Sequence, residues 1–303
     1  MNVNHQPGQR IADRYRLRAL LGSGRQGSVW DAEDTRGGDA RVAVKFFATR
    51  EATREAEVLL RVEHPSLPRA LDAGSLDDGS FLVMERVEGV PLAFGMAPAS
   101  VVRVGAQVAE ALAALHDLGI VHRDVKPANV LVADERACLV DLGFATTACA
   151  PAETTAGTLA YMAPDALAGE LSPASDLFSL GVTLIAALTG QHPFVEDAAD
   201  RAEVLDALVT RRPVRAAVLD AIPPALRGSL TALVARDPEA RPPSARAWLG
   251  RWSRDGALLT GDAASPLALT PGVSFARPPL VAREGERDQA LAAVERGLVG
   301  DGV

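Results

Sequence analysis

The chain has 303 residues, of which 48% are hydrophobic and 23% charged, so it can bury a core and is not a wholly disordered protein. Its formal net charge of -8 excludes the basic surface that a general nucleic-acid binder carries. No apolar run reaches the roughly 18 residues of a membrane-spanning helix, and the N-terminus lacks a signal-peptide pattern. We therefore expect a cytoplasmic protein with no membrane span and no nucleic-acid partner.

The N-terminal part of the chain has the pattern of a small sheet. Residues 1–13 are polar and predict a flexible tail. Between residues 14 and 87, short apolar segments separated by Gly- and Asp-rich turns predict five antiparallel strands. Apolar residues at helical spacing over residues 51–62 predict one helix. Together these elements make a small α+β lobe.

From about residue 88 to 252 the pattern becomes helical. Apolar residues at steps of three and four between Val101 and Leu115 predict an amphipathic helix. Residues 172–188 are almost continuously apolar, which is typical of a buried helix. Three shorter amphipathic helices are predicted near residues 200–210, 224–235 and 244–252. This region therefore forms a larger, mostly helical lobe.

Lysine is rare in this chain. Among the 31 Lys and Arg residues, only Lys45 and Lys126 are lysine, whose compact ammonium suits a single phosphate oxygen or a tight pair. Lys45 lies within a predicted strand of β-branched and aromatic residues, where an inward-pointing charge needs a partner. Glu55, on the predicted helix, can supply one, and such a pair would direct the ammonium toward the α- and β-phosphates of a nucleotide. The alternative is a surface ion pair worth about 0–1 kcal/mol.

A Gly-rich turn precedes that strand. Gly22, Gly24 and Gly27 fit the pattern G-x-G-x-x-G-x-V, and a strand follows them instead of the helix that a dinucleotide-binding fold requires. Glycines in a hairpin can lay their backbone over a triphosphate without side-chain clashes. The pattern therefore indicates a phosphate-binding turn.

Two further polar segments can handle phosphate and metal. Asp124 and Asn129 are five residues apart on a loop leading into a strand, and Lys126 lies between them. A carboxylate there can accept a hydroxyl proton, an amide oxygen can bind a metal ion, and the ammonium can neutralise a phosphate in transit. Asp141, at the end of the next strand, can hold Mg²⁺ against two phosphates. Each acid alone could be a solvated loop residue, but their joint order favours phosphoryl transfer.

In this order the motifs resemble those of bacterial Hanks-type (eukaryotic-like) serine/threonine protein kinases, over residues 14–252. The resemblance implies an α+β, bilobal protein-kinase fold, with an N-lobe of about residues 14–87 and a C-lobe of about residues 88–252. It also implies transfer of the γ-phosphoryl group of ATP to Ser or Thr hydroxyls of a protein substrate, in cytoplasmic signalling. The implied cofactors are ATP and Mg²⁺, with Mn²⁺ as a substitute.

The resemblance assigns roles to single residues. Asp124 is the catalytic base or orienting group, Lys126 supports the γ-phosphate, and Lys45 binds phosphates while paired with Glu55. Asn129 and Asp141 hold the metal. The residues expected around the nucleotide are Gly22, Gly24, Gly27, Val29, Ala43, Lys45, Met84, Glu85, Val87 and Leu131.

The resemblance also favours Ser/Thr over Tyr as the acceptor, because Lys126 and Thr158 follow the Ser/Thr pattern. Arg123 precedes the catalytic aspartate, and in such kinases this arginine often binds a phosphate on the activation segment. That segment carries Thr154 and Thr155, where we expect autophosphorylation. The alternative is that threonines simply suit a mobile polar loop.

Two departures from the family pattern carry structural expectations. The A-P-E motif ends in Asp165, which is one methylene shorter than Glu, so we expect its buried pair with Arg241 to be stretched or bridged by water. The segment over residues 90–96 is too short for the usual helix after the hinge, and we expect a loop there.

The C-terminal part is the least specific. Residues 253–277 are rich in Ala, Gly and Pro and predict a linker, and residues 278–303 contain one more helix-like stretch. That stretch resembles the start of a signalling ATPase module. The resemblance implies that such a module, covalently attached to this chain or associated with it, lies C-terminal to residue 303. A tail helix that packs on the kinase or frays in solvent is the alternative. Two rival functions also stay open: a catalytically weak pseudokinase or adaptor head of a larger ATPase, and a small-molecule phosphotransferase.

Overall fold

The computed structural model describes residues 5–24, 27–47, 58–59, 61–76, 79–143, 145–147 and 159–260. The described chain divides into two compact units. One ends at Val87 and the other begins at Glu88. No helix among the described residues is both long and apolar enough to cross a membrane.

The first unit is built on an antiparallel sheet of six strands in the order β1-β2-β3-β4-β6-β5. Its strands are β1 (Arg10–Ile11), β2 (Tyr15–Gly24), β3 (Gly27–Asp34), β4 (Ala40–Phe47), β5 (Ala70–Leu76) and β6 (Gly79–Glu85). The five predicted strands are present, and β1 is additional. It lies in the segment predicted as a flexible tail, so that prediction is wrong for residues 10–11. Ile11 is buried there, and two residues are too few to give a period-2 signal.

One face of this sheet carries the core of the unit. Alternate residues of the strands point to the same side, and those that pack together there are mostly β-branched or aromatic: Ile11, Tyr15, Leu17, Trp30, Ala32, Val42, Val44, Phe46, Phe81 and Val83. The intervening residues, including Lys45, belong to the opposite face. Of the helix predicted over residues 51–62, the structure describes Val58, Leu59, Arg61 and Val62, and the first three are helical.

The second unit contains short strands and seven α-helices among its described residues. The strands are β7 (Val90–Pro91), β8 (Ile120–Val121), β9 (Val130–Ala133), β10 (Arg136–Leu139) and β11 (Thr146–Thr147). The helices are α1 (Pro98–His116), α2 (Pro164–Leu167), α3 (Pro173–Thr189), α4 (Arg201–Val209), α5 (Ala216–Ala221), α6 (Pro224–Leu233) and α7 (Ala245–Thr260). Strands β10, β9 and β7 form one small sheet, and β11 pairs with β8.

Helix α3 is the centre of this unit. As its continuous apolar pattern predicts, nearly all of its residues are buried, and it packs against α1 and α6. Its start is fixed by a capping box between Ser172 and Ser175. It ends at Thr189 and is capped by Gly190, whose φ of 73° is the left-handed conformation that glycine adopts without strain.

Three features differ from the sequence pattern or refine it. Helix α5 was not predicted, because it is one turn and a half long and buries only Val218. Helix α7 continues to Thr260, well past residue 252, into the segment predicted as a linker. The segment after residue 89 forms the two-residue strand β7 and then irregular chain, so it contains no helix, as expected. The rest of the predicted linker and the tail helix of residues 278–303 lie outside the described residues.

Candidate active site

The face of the first sheet opposite its core carries the residues predicted to surround a nucleotide. Lys45 of β4 is paired with Val29 of the neighbouring strand β3, and Ala43 of β4 is paired with Met84 of the other neighbouring strand, β6. Directly opposed residues share a face of an antiparallel sheet, so these four side chains belong to one surface. Lys45 is buried there, with its Nζ 5.1 Å from the centre of the Phe47 ring.

The three glycines of the turn between β2 and β3 differ in what the fold requires of them. Gly27 has a φ of 134°, and a Cβ there would lie 1.7 Å from the carbonyl oxygen of Phe46, so the fold itself demands glycine. At Gly22 and Gly24 a Cβ would meet no described atom within 4 Å, and neither has a positive φ. The space over these two glycines is therefore open, which fits close approach of a phosphate chain to the backbone.

The hinge, the segment Glu85–Val87 expected to hydrogen-bond the base, begins at the last residue of β6. Glu85 pairs with Val42 and donates its main-chain N–H to the carbonyl of Arg69 over 2.8 Å. Leu131, predicted to contact the base, belongs to the second unit, where it pairs with Pro91 and Cys138 and is half-buried.

The loop between β8 and β9 brings three predicted residues into direct contact. The buried carboxylate of Asp124 accepts hydrogen bonds from Lys126 Nζ at both oxygens, over 2.9 and 2.7 Å. Asn129 Nδ2 donates to the main-chain carbonyl and to Oδ2 of Asp124, each over 2.8 Å. A 3₁₀ turn over Pro127–Asn129 returns the chain to make this contact. Because both amide hydrogens are used, the amide oxygen of Asn129 is left as an acceptor.

A buried carboxylate on helix α3 fixes the backbone of this loop. Asp176 accepts the main-chain N–H groups of His122 and Arg123, each over 2.8 Å, and lies 2.9 Å from His116 Nε2. Arg123 has a φ of 72°, a conformation that costs a residue with a side chain about 1–3 kcal/mol. The hydrogen bonds of Asp176 hold the loop in that conformation.

Burial by itself would raise the pKa of Asp176, but the bonds from His116 and from the loop backbone outweigh it and hold that pKa below its usual range. Asp176 therefore stays ionised under the loop. Burial lowers the pKa of His122, which keeps that ring neutral inside the unit.

Asp141 is tied to the same loop through the backbone. The N–H of Val140 donates to the carbonyl of Asn129 over 2.8 Å, and Asp141 follows with a φ of 67°. A carboxylate and an amide oxygen on adjoining segments are the oxygen donors that Mg²⁺ and similar hard cations accept. The residues present therefore fit a divalent metal ion.

The arrangement agrees with comparisons to known proteins. A family model described as "Protein kinase domain" matches residues 15–252. The chain belongs to the protein kinase family. The resemblance to protein kinases and the predicted fold class are thus confirmed. The N-terminal sheet has six strands where five were expected. Proteins of this family use ATP and a divalent metal ion.

Bacterial relatives support the same assignment. Serine/threonine-protein kinase PknL of Mycobacterium tuberculosis (strain H37Rv) is 35% identical over 254 residues, covering 76% of this chain and 63% of that protein. PknD of the same strain is 34% identical over 251 residues, covering 75% of this chain and 37% of that protein. PknH of Mycobacterium bovis is 34% identical over 252 residues, covering 76% of this chain and 42% of that protein. This chain therefore spans less than two thirds of the length of these relatives.

The pair of Asp165 with Arg241, expected to be stretched or bridged by water, is a direct contact in this kinase. Asp165 Oδ1 lies 2.5 Å from Arg241 Nη2, and both side chains are buried, so the pair is neither stretched nor bridged by water. The hydroxyl of Ser175 donates to the other oxygen of Asp165 over 2.6 Å. Arg241 also donates to the carbonyls of Ala235 and Ala174, which fixes the guanidinium within reach of the shorter acid.

Several predicted residues of the kinase lie outside the described residues: Glu55, Thr154, Thr155 and Thr158. The pairing of Lys45 with Glu55 and the phosphorylation of the activation segment therefore stay predictions. Sequence reasoning missed the buried acid Asp31, which lies on the same sheet face as Lys45. Its position two residues after Val29 was the available signal, because alternate strand residues share a face.

Proposed function

We propose that this chain is a serine/threonine protein kinase that transfers the γ-phosphoryl group of ATP to Ser or Thr hydroxyls of a protein substrate. The observation that carries the proposal is the buried carboxylate of Asp124, bound at both oxygens by Lys126 and at Oδ2 by Asn129, on a loop fixed by Asp176. A free carboxylate in a flexible loop would not hold a hydroxyl in line with a phosphate, whereas this one is preorganised.

In this proposal each residue acts through its own chemistry. Asp124 accepts or orients the proton of the attacking hydroxyl, and Lys126 stabilises charge on the group in transfer. Lys45 binds the α- and β-phosphates, and Glu55 pairs with it. Asn129 and Asp141 would hold Mg²⁺, or Mn²⁺ in its place, which neutralises phosphate charge when bound.

The nucleotide would be bound by backbone and apolar contacts. The glycine turn covers the phosphates, and the main chain of the hinge hydrogen-bonds the base. The residues in this role are Gly22, Gly24, Gly27, Val29, Ala43, Met84, Glu85, Val87 and Leu131. The open space over Gly22 and Gly24 supports this assignment, because nothing in the described protein requires glycine there.

Regulation and context belong to the same proposal. Autophosphorylation at Thr154 or Thr155 would give Arg123 a phosphate partner, and Thr158 lies later in the same segment. The kinase domain would span residues 14–252 and act in cytoplasmic signalling, alone or joined to an ATPase module C-terminal to residue 303.

A transfer assay tests the proposal against its rivals. The full chain is incubated with γ-labelled ATP and Mg²⁺ together with a generic protein acceptor or an aminoglycoside, beside Lys45→Met as a control. Label on protein that disappears in Lys45→Met is expected. Label on the aminoglycoside alone would favour a small-molecule phosphotransferase. No label from wild type, despite nucleotide binding, would favour a pseudokinase.

A further inference from the structure

A buried carboxylate outside the predicted catalytic set lies on the nucleotide-facing surface of the first sheet. Asp31 is opposite Ala43, whose other neighbour across the sheet is Met84. Its side chain is only 4% exposed. A carboxylate removed from water to this degree needs cationic or hydrogen-bonding partners.

Arginines from different parts of the unit meet this carboxylate. Arg86 Nε lies 2.8 Å from Oδ1 of Asp31, and Arg41 Nε donates to the same oxygen over 3.0 Å while its Nη2 contacts Oδ2. Arg18 Nε is 3.9 Å from Oδ2. The Arg86 side chain is 19% exposed and the Arg41 side chain 45%, so the Arg86 contact is the better shielded from solvent.

Arg86 differs from the other two in where it lies along the chain. Arg18 and Arg41 belong to β2 and β4, whose backbones are held by strand pairing. Arg86 is in the hinge, immediately after Glu85, where the pairing of β6 with β4 ends. The ion pair with Asp31 therefore continues the attachment of the hinge to the sheet beyond the last strand pair.

We propose that Arg86 and Asp31 are positioning residues that hold the main chain of the hinge in the orientation needed to hydrogen-bond the nucleotide base. This inference rests on the proposed function, because it needs a base bound at the hinge. Loss of Arg86 loosens the hinge backbone but leaves Asp31 paired with Arg41. Adenine recognition is therefore weakened while the phosphate contacts are kept.

The test uses the full chain and compares two variants that each remove one arginine from the same carboxylate. Arg86→Gln removes the hinge contact, and the matched control Arg41→Gln removes the strand contact. Arg86→Lys keeps a cation that can still reach Asp31. Dissociation constants for MgATP and MgGTP are measured by calorimetric titration, because these nucleotides differ only in the base.

Arg86→Gln is expected to raise the Kd for MgATP about fivefold to tenfold, equivalent to one or two hinge hydrogen bonds, and to lower the preference for ATP over GTP. Arg41→Gln is expected to leave the ATP affinity unchanged, and Arg86→Lys to recover most of the loss. The inference is overturned if Arg86→Gln binds MgATP as tightly as wild type, or if Arg41→Gln weakens binding equally. Wild type that binds no MgATP would reject the proposed function together with this inference.

Discussion

The buried pair of Asp165 and Arg241 gives a sharp prediction for stability. Arg241 is fully enclosed, and Asp165 is the only acid within ion-pair distance of it among the described residues. The variant Asp165→Asn keeps the shape of the side chain and removes its charge. It leaves an uncompensated guanidinium inside the unit, because the carbonyls of Ala235 and Ala174 accept hydrogen bonds without neutralising it.

The expected loss is large. Breaking a buried ion pair by removing one partner costs about 3–5 kcal/mol. For a domain of about 150–250 residues, each kcal/mol lowers the Tm by roughly 2–4 °C, so we expect a decrease of about 6–20 °C. Urea unfolding followed by tryptophan fluorescence measures the change in the free energy of unfolding, since Trp248 and Trp252 are buried in the same unit.

Two comparisons make the reasoning refutable. Asp117→Asn breaks an exposed ion pair with Arg246 and is expected to cost no more than about 1 kcal/mol. Asp165→Glu restores the usual family residue, yet it is expected to destabilise by about 1–3 kcal/mol, because Asp165 already contacts both partners and an extra methylene overpacks the site. If Asp165→Asn is no worse than Asp117→Asn, or Asp165→Glu is more stable than wild type, this account of the pair is wrong.

Three further predictions follow from the described contacts. Trp252→Ala, which deletes a buried ring stacked 4.8 Å from Trp248, is expected to cost about 3–5 kcal/mol of unfolding free energy, whereas Leu258→Ala on the exposed side of α7 should change it little. Gly22→Ala is expected to leave the Tm unchanged and to weaken MgATP binding, which calorimetric titration measures; an unchanged Kd would argue against phosphates over this turn. Burial lowers the pKa of His192 in the folded state, so its contribution to stability is complete above the ordinary histidine pKa of about 6.5 and is lost as the pH falls below it. Urea unfolding at pH 7.5 and pH 5.5 should therefore show a smaller loss in His192→Asn than in wild type, and an equal loss would contradict the assignment.

Short-range sequence information was sufficient for the centre of the site. Asp124, Lys126 and Asn129 lie within six residues, so one loop and a 3₁₀ turn are enough to bring them together. Strand alternation likewise places Ala43 and Lys45, two residues apart, on one face. In both cases the geometry follows from local backbone rules.

Features that depend on distant contacts were predicted only where the family resemblance implied them. The pairing of Asp165 with Arg241, 76 residues apart, was expected from the resemblance, but its direct contact was not. The hydroxyl of Ser175, in the capping box of α3, binds the other oxygen of Asp165. Asp31 lies on β3 and Arg86 in the hinge after β6, and no periodic pattern marks their pairing. Helix α7 runs beyond Trp252 through a segment whose composition resembles a linker, because packing against α1 overrides local propensity.

The most direct test of the kinase proposal is phosphoryl transfer onto an inactive copy of the same chain. Wild type is mixed with an excess of Asp124→Asn that carries a size tag, together with γ-labelled ATP and Mg²⁺, and the tagged copy is analysed for phosphoamino acids. The account predicts phosphothreonine or phosphoserine on the tagged copy only when wild type is present, with at least about a hundredfold less label from Asp124→Asn alone. Equal labelling by Asp124→Asn alone, or no phosphate on Ser or Thr in the mixture, would contradict it.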